Sequence, residues 1–168
     1  KEFFEKYRSR LTPQERHDPQ TLPLPPYFPD TPVVRNIWGR YYDLITTMDK
    51  QVGELLAQLE ADGLADDTIV FFFADHGLGL PRFKRTLYDS GLHIPLMVRF
   101  GANVQTMASQ KAGTRSDRLI STIDLPPTVL QLTGVTVPGY MQGASFLDGS
   151  SASRQYVFGA ASRVDEAY

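Results

Sequence analysis

The run Thr68-Ile69-Val70-Phe71-Phe72-Phe73 constrains the fold more than any other stretch of the chain. It is apolar without alternation, so it reads as a strand buried on both faces, the habit of strands in parallel α/β sheets. A long amphipathic pattern comes before it. Ile37, Tyr41, Leu44, Ile45, Met48, Val52, Leu55, Leu56 and Leu59 recur at spacings of three and four, the stripe of a helix laid on a core. Asp30 or Thr31 can cap that helix, and Pro32 suits its first turn, where a missing N–H costs nothing. Gly63 stands where a left-handed C-cap belongs. Gly53, inside the helix, costs roughly 1 kcal/mol relative to Ala, a loss that close packing against a sheet would explain. Helix, the four-residue connection 64–67 and strand together predict one unit of a parallel α/β sheet.

Around this unit the elements are shorter. Lys1–Arg10 can form a helix with Phe3, Phe4 and Tyr7 on one side. Between Leu11 and Pro32 stand Pro13, Pro19, Pro23, Pro25, Pro26, Pro29 and Pro32, which forbid a helix or a central strand. The segment reads as an extended surface stretch, with a domain linker as the competing reading. A second strand is expected at Ile94–Phe100, a polar loop at Gly101–Asp117, and a helix at Pro126–Leu132 capped by Asp124 and ended by Gly134. Gln155–Phe158 reads as a last strand.

Composition excludes several classes. At 168 residues, 42% hydrophobic and 21% charged, the chain can bury a core. A net charge of -2 with scattered Lys and Arg gives no nucleic-acid footprint. No apolar run approaches the roughly 18 residues of a membrane span. With no cysteine there are no disulfides or thiolate metal sites. Lys1 at the start and the abrupt stop at Val164–Tyr168 read as cuts through a longer protein, so the lack of a leader says nothing about secretion.

The chemistry concentrates between Ala74 and Pro95, where the buried strand ends. The carboxyl ends of strands are where α/β sheets bind ligands. Asp75 offers a hard anionic oxygen, His76 a nitrogen, and Gly77 and Gly79 let the backbone turn and approach a ligand. By spacing alone the triplet fits a metal site or a turn with a capping Asp. Lys84 by itself reads as a solvated charge, and His93, between Leu92 and Ile94, as a hydrogen-bonded histidine near the core.

Taken together, Asp75-His76-Gly77, Lys84, Thr86, Tyr88-Asp89, Gly91 and Ile94-Pro95 resemble the sulfatase family of the alkaline-phosphatase-like superfamily. In that family a buried strand ends in Asp-His-Gly or Asp-Asn-Gly. A loop with Lys, a Tyr-Asp or Tyr-Glu pair and Gly follows, then a strand opening on Val-Pro or Ile-Pro. Met48–Leu56, Ser116–Leu119, Ile123–Thr128 and Met141–Leu147 are similar to the family's flanking segments, so the likeness covers roughly residues 30–168. The Lys84–Gly91 loop is most similar to heparan N-sulfatase-like members.

The resemblance implies an α/β, alkaline-phosphatase-like fold, a mixed or parallel sheet with flanking helices, here as an incomplete fragment. Residues 1–168 would be part of one catalytic domain, with 1–30 as its Pro-rich extended segment. Asp75 and His76 would be ligands of a divalent metal, usually Ca²⁺, and Lys84 would bind and stabilise the sulfate. His93 would line the substrate pocket, Tyr88 and Asp89 would pin the loop, and Asp124 would cap a helix. The family's nucleophile is a formylglycine made from Cys or Ser in Cys/Ser-x-Pro-x-Arg, and no such pattern occurs here. Ser151-Ala152-Ser153-Arg154 lacks the proline, so the nucleophile and the remaining metal ligands are expected upstream. The implied substrate is a small-molecule or glycan sulfate ester, or a sulfamate, met in a periplasmic, secreted or lysosomal-type compartment. Two rivals are a phosphate or phosphonate ester hydrolase of the same superfamily and a non-catalytic interaction domain that kept the fold.

Overall fold

The computed structural model describes residues 2–108, 110–147 and 154–160, with side chains from Glu5 onward. Val164–Tyr168 and Ser151–Ser153, both weighed above, lie outside the described residues. The chain forms two compact units, Lys1–Leu64 and Ala65–Tyr168.

In the first unit, α1 (Glu2–Arg8) and α2 (Pro32–Ala61) are joined by the Pro-rich segment. Thr31 caps α2 through its hydroxyl, which accepts the Val34 N–H at 3.3 Å, and Pro32 opens the helix as expected. The helix ends in a Schellman motif: Gly63 takes φ 70°, and the Leu64 N–H reaches the Leu59 carbonyl at 3.1 Å.

The Pro-rich segment is a strap on α2 rather than a free linker. Arg35 donates to the carbonyls of Pro19, Gln20 and Leu22 at 3.1, 3.0 and 3.3 Å, and pairs with Asp30. Those bonds satisfy strap carbonyls that have no ladder of their own. Leu11 is buried, and Phe28 meets Trp38 edge-on at 5.4 Å. The buried line of α2 is Trp38, Gly39, Asp43 and Thr47. The expected apolar stripe is less covered, with Ile37, Ile45, Met48 and Leu55 exposed. A side chain added at Gly53 would meet nothing within 4 Å, so close packing does not account for that glycine.

In the second unit, β1 (Ile69–Phe73) pairs with β2 (Leu96–Phe100) antiparallel, Ile69 opposite Phe100 and Phe73 opposite Leu96. The α/β class stands, but this pair is not the parallel unit expected from the helix–strand order. The segment 74–95 brings the chain back beside β1, with the Ala74 N–H on the Pro95 carbonyl at 3.3 Å. Nor is β1 enclosed on both faces. Phe73 is exposed, and Phe71 and Phe73 line an open apolar groove of about 480 Å³ with Leu125, Val129, Leu130 and Met141.

The short helix α3 (Asp89–Leu92) precedes β2, and α4 (Leu125–Leu132) follows a single 3₁₀ turn at Thr122–Asp124. Asp124 is positioned at the start of α4 but does not cap it with its side chain. Its buried carboxylate accepts the Ser121 N–H at 2.9 Å and the Ala144 N–H at 2.8 Å, and pairs with Arg154. Thr128 continues the link, donating to the Asp124 carbonyl at 2.6 Å and accepting the Phe146 N–H at 3.3 Å. The expected strand at Gln155–Phe158 is irregular, with Tyr156 and Phe158 exposed and no partner strand among the described residues.

Candidate active site

Asp75 and His76 leave the sheet just past the carboxyl end of β1. The His76 Nδ1 lies 2.6 Å from the Gly77 carbonyl oxygen. A carbonyl can only accept, so Nδ1 carries the proton, and in the neutral ring Nε2 is left with a bare lone pair. That Nε2 stands 3.3 Å from Asp75 Oδ2. Two electron-pair donors therefore sit side by side on an exposed strand end, with the ring orientation fixed by a backbone bond. This is how metal-binding histidines are held. Their separation suits two neighbouring ligands of one cation. Among the described residues no third His, Asp or Glu joins them, so the pair fits as part of a coordination shell and not as a whole one.

Lys84 is tied to the same turn, its backbone N–H donating to the Leu78 carbonyl at 2.8 Å. Two glycines make the close packing possible. A Cβ at Gly77 would stand 2.3 Å from the Ser90 carbonyl oxygen, and one at Gly91 would stand 2.4 Å from the carbonyl oxygens of Phe83 and Thr86. The turn at 75–77, the Lys84 loop and α3 thus interlock through backbone contacts that no larger residue permits. Gly79, in contrast, meets open space. The Lys84 side chain is exposed, and no described carboxylate lies within ion-pair distance of it.

The loop itself consists of two successive turns, closed by the Phe83 N–H on Leu80 O and the Thr86 N–H on Phe83 O, each at 3.2 Å. The third residue of each turn is an arginine with positive φ, Arg82 at 67° and Arg85 at 64°. Left-handed backbone costs an ordinary residue about 1–2 kcal/mol. Neighbouring bonds hold it in place: Ser90 Oγ donates to Arg82 O, and Thr86 Oγ1 to Phe83 O at 2.8 Å. The sequence reading missed both arginines, although Pro81 in the second place of a turn is a signal for one.

His93 is not a core histidine. Its ring is 80% exposed and reaches the Asp89 carboxylate at 3.5 Å. Tyr88 holds the loop through its carbonyl, which accepts the Gly91 and Leu92 N–H groups at 2.8 and 3.1 Å. Asp89 contributes through its backbone, its carbonyl taking the His93 N–H at 2.7 Å.

The chain as a whole is similar to known proteins. The Sulfatase family model matches residues 2–135. The chain is 42% identical over 155 residues to an ulvan-active sulfatase of Formosa agariphila, covering 92% of this chain and 25% of that protein. It is 32% identical over 129 residues to the human N-sulphoglucosamine sulphohydrolase, covering 77% and 24%. The solved structure of BT4656 in complex with its substrate D-glucosamine-2-N,6-O-disulfate superposes with a TM-score of 0.60 at 26% identity, over 79% of this chain and 30% of that one. The chain belongs to the sulfatase family. It spans about a quarter of the length of these curated relatives.

Proposed function

We propose that this chain forms part of a hydrolase of sulfuric esters or sulfamates, and that all of residues 1–168 belong to one catalytic domain. The observation that carries the reading is the Asp75–His76 pair, two lone-pair donors 3.3 Å apart at the end of β1, with Lys84 tethered to the same turn. Asp75 and His76 hold a divalent cation, and the carboxylate favours a hard ion such as Ca²⁺. A cation there supplies positive charge to the sulfate oxygens. Lys84 supplies a second, mobile positive charge and stabilises the negative charge that grows as the S–O or S–N bond breaks. His93 lines the approach to the site.

The nucleophile is a formylglycine from outside these residues, since the sequence holds no Cys and no Ser followed by x-Pro-x-Arg. The names of the relatives support a sulfated saccharide as substrate.

The test is kinetic, on the intact gene product that contains this segment. Lys84→Ala is expected to lower kcat/KM on a sulfate ester by about 10²–10³, the effect of deleting one stabilising donor. Chelation of divalent metal is expected to abolish turnover, and residues 1–168 alone are expected to show none, since covalent catalysis needs a nucleophile. Unchanged kinetics in Lys84→Ala would make Lys84 a surface charge.

A further inference from the structure

Lys84 stands in the second place of a turn that opens where another closes. Phe83 ends the first turn on Leu80 and begins the second, which returns at Thr86. Two planar peptide units therefore fix where the Lys84 side chain starts. The unit between Phe83 and Lys84 is held from within the segment. Its carbonyl accepts the Thr86 N–H and hydroxyl, and its N–H, that of Lys84, donates to Leu78 O at 2.8 Å. The unit between Arg82 and Phe83 is held from outside the two turns. Its N–H closes the first turn, and its carbonyl accepts the hydroxyl of Ser90, eight residues further on in α3. This bond bears on backbone that needs holding, since Arg82 and Arg85 take φ 67° and 64° and such conformations persist only where the surroundings impose them.

Ser90 also meets the strand-end turn. A Cβ on Gly77 would stand 2.3 Å from the Ser90 carbonyl oxygen and 3.0 Å from the Gly91 Cα. Gly77 directly follows His76. Ser90 thus touches the turn of Asp75 and His76 with its backbone, and the Lys84 loop with its hydroxyl. Spacing of this kind matters to chemistry, because a shift of about 1 Å in a reacting group can cost about a hundredfold in rate.

We propose that Ser90 is the positioning residue of Lys84, a role that rests on the hydrolase reading above. Its backbone takes its place from Gly77, and its hydroxyl passes that place to the Arg82 carbonyl and so to the backbone of Lys84.

Ser90→Ala in the intact protein deletes the hydroxyl and adds no bulk. On a sulfate ester kcat/KM should fall about three- to tenfold, the size of one lost hydrogen bond. Ser90→Thr keeps a hydroxyl and should stay close to wild type; a loss equal to that of Ser90→Ala would overturn the proposal. The deciding comparison uses the Lys84→Ala background. A residue that acts through Lys84 has nothing left to position there, so Lys84→Ala/Ser90→Ala should match Lys84→Ala alone. An equal Ser90→Ala loss in both backgrounds would mark a general structural role and overturn the proposal, and so would no loss in either. Should Lys84→Ala leave the kinetics unchanged, or wild type turn over no sulfate ester, the catalytic reading of Lys84 falls. Amide hydrogen exchange then decides the placement separately. Exchange at Phe83 and Lys84 should be about three- to tenfold faster in Ser90→Ala, with the β1 amides unchanged. Unchanged exchange at Phe83 and Lys84, or equal acceleration in β1, would overturn it.

Discussion

Arg8, His17 and Asp43 meet around a carboxylate that is 1% exposed, while Asp75 and His76 at the end of β1, with Lys84 in the loop that follows, offer the same residue types around a carboxylate that is 84% exposed. In the first cluster every charge faces a neighbour, the Arg8–Asp43 contact being an ion pair without hydrogen-bond geometry. Asp43 pairs with Arg8 Nε at 2.9 Å, accepts the His17 backbone N–H at 2.8 Å, and faces the His17 ring at 3.2 Å. In the second cluster the histidine Nδ1 faces a backbone carbonyl at 2.6 Å, and its Nε2 stands 3.3 Å from an exposed carboxylate. An acid, an imidazole and a cation are therefore structural where they satisfy one another, and the chemical role proposed for the second set rests on the His76 Nδ1 bond to the backbone. Residue type does not distinguish the two clusters; the destination of the His ring proton does.

The strongest way to break this contrast is a paired substitution. Asp43→Ala removes the centre of the α1–strap–α2 clasp and leaves Arg8 without its buried partner, a change expected to cost about 3–5 kcal/mol. Asp75→Asn alters an exposed group and should stay within about 0.5 kcal/mol. Trp38, the only tryptophan, is 4% exposed and contacts Tyr41 and Tyr42 beside the clasp. Its fluorescence during urea unfolding reads the first value directly. Similar losses for the two variants would show that Asp75 is as structural as Asp43.

Sequence reasoning located the second cluster better than the first, and the cause is range. Thr31, Pro32 and Gly63 mark the ends of α2 because capping is settled within a few residues. The strand β1 was legible from its unbroken apolar run, and Asp75-His76-Gly77 from its place after that run. What depends on distant partners was not legible. The direction of the β1–β2 pair is set by the returning segment 74–95, which an apolar run does not encode. Asp124 looks like a cap because caps are local, yet its partners Ala144 and Arg154 lie 20 and 30 residues away. Asp43 sits among apolar residues of α2, and nothing nearby in sequence announces Arg8 or His17 as its partners. The proton on His76 Nδ1 was likewise invisible until the Gly77 carbonyl was found beside it.

A weaker effect sharpens the account of how the exposed cluster is kept in shape without buried charge. Gly77→Ala drives a Cβ to 2.3 Å from the Ser90 carbonyl oxygen, and Gly91→Ala to 2.4 Å from two more. Backbone cannot swing aside as a side chain can, so each should cost about 1–3 kcal/mol and loosen the Lys84 loop. Gly79→Ala, two residues from the first, meets nothing within 4 Å and should cost neither stability nor activity. Thermal midpoints of the three variants test this. Equal midpoints would mean that the interlock of turn, loop and α3 is looser than the contacts imply.

The smallest effect concerns a charge that lies between the two extremes, exposed yet fully engaged. Glu15 in the strap accepts the Lys50 ammonium at 2.8 Å on one oxygen and the Thr12 N–H at 2.8 Å on the other. The Lys50 bond, followed by those to Thr12, lowers its pKa from 4.5 to about 2. A carboxylate with a lowered folded-state pKa stabilises the fold while it is ionised. Its contribution is therefore present above about pH 4.5 and is lost as the pH falls through about 2. Water and salt screen an exposed pair, so the loss should be small and should shrink at high ionic strength. Other carboxylates titrate in the same window, which makes the difference between wild type and Glu15→Gln the useful quantity. Stability followed through Trp38 should fall less steeply over that window in Glu15→Gln than in wild type. Lys50→Met should remove most of the same slope, because it deletes the partner that holds Glu15 ionised. Identical slopes in all three proteins would mean that Glu15 titrates like a free side chain, and that an exposed charge in the strap holds no more than an unpaired one.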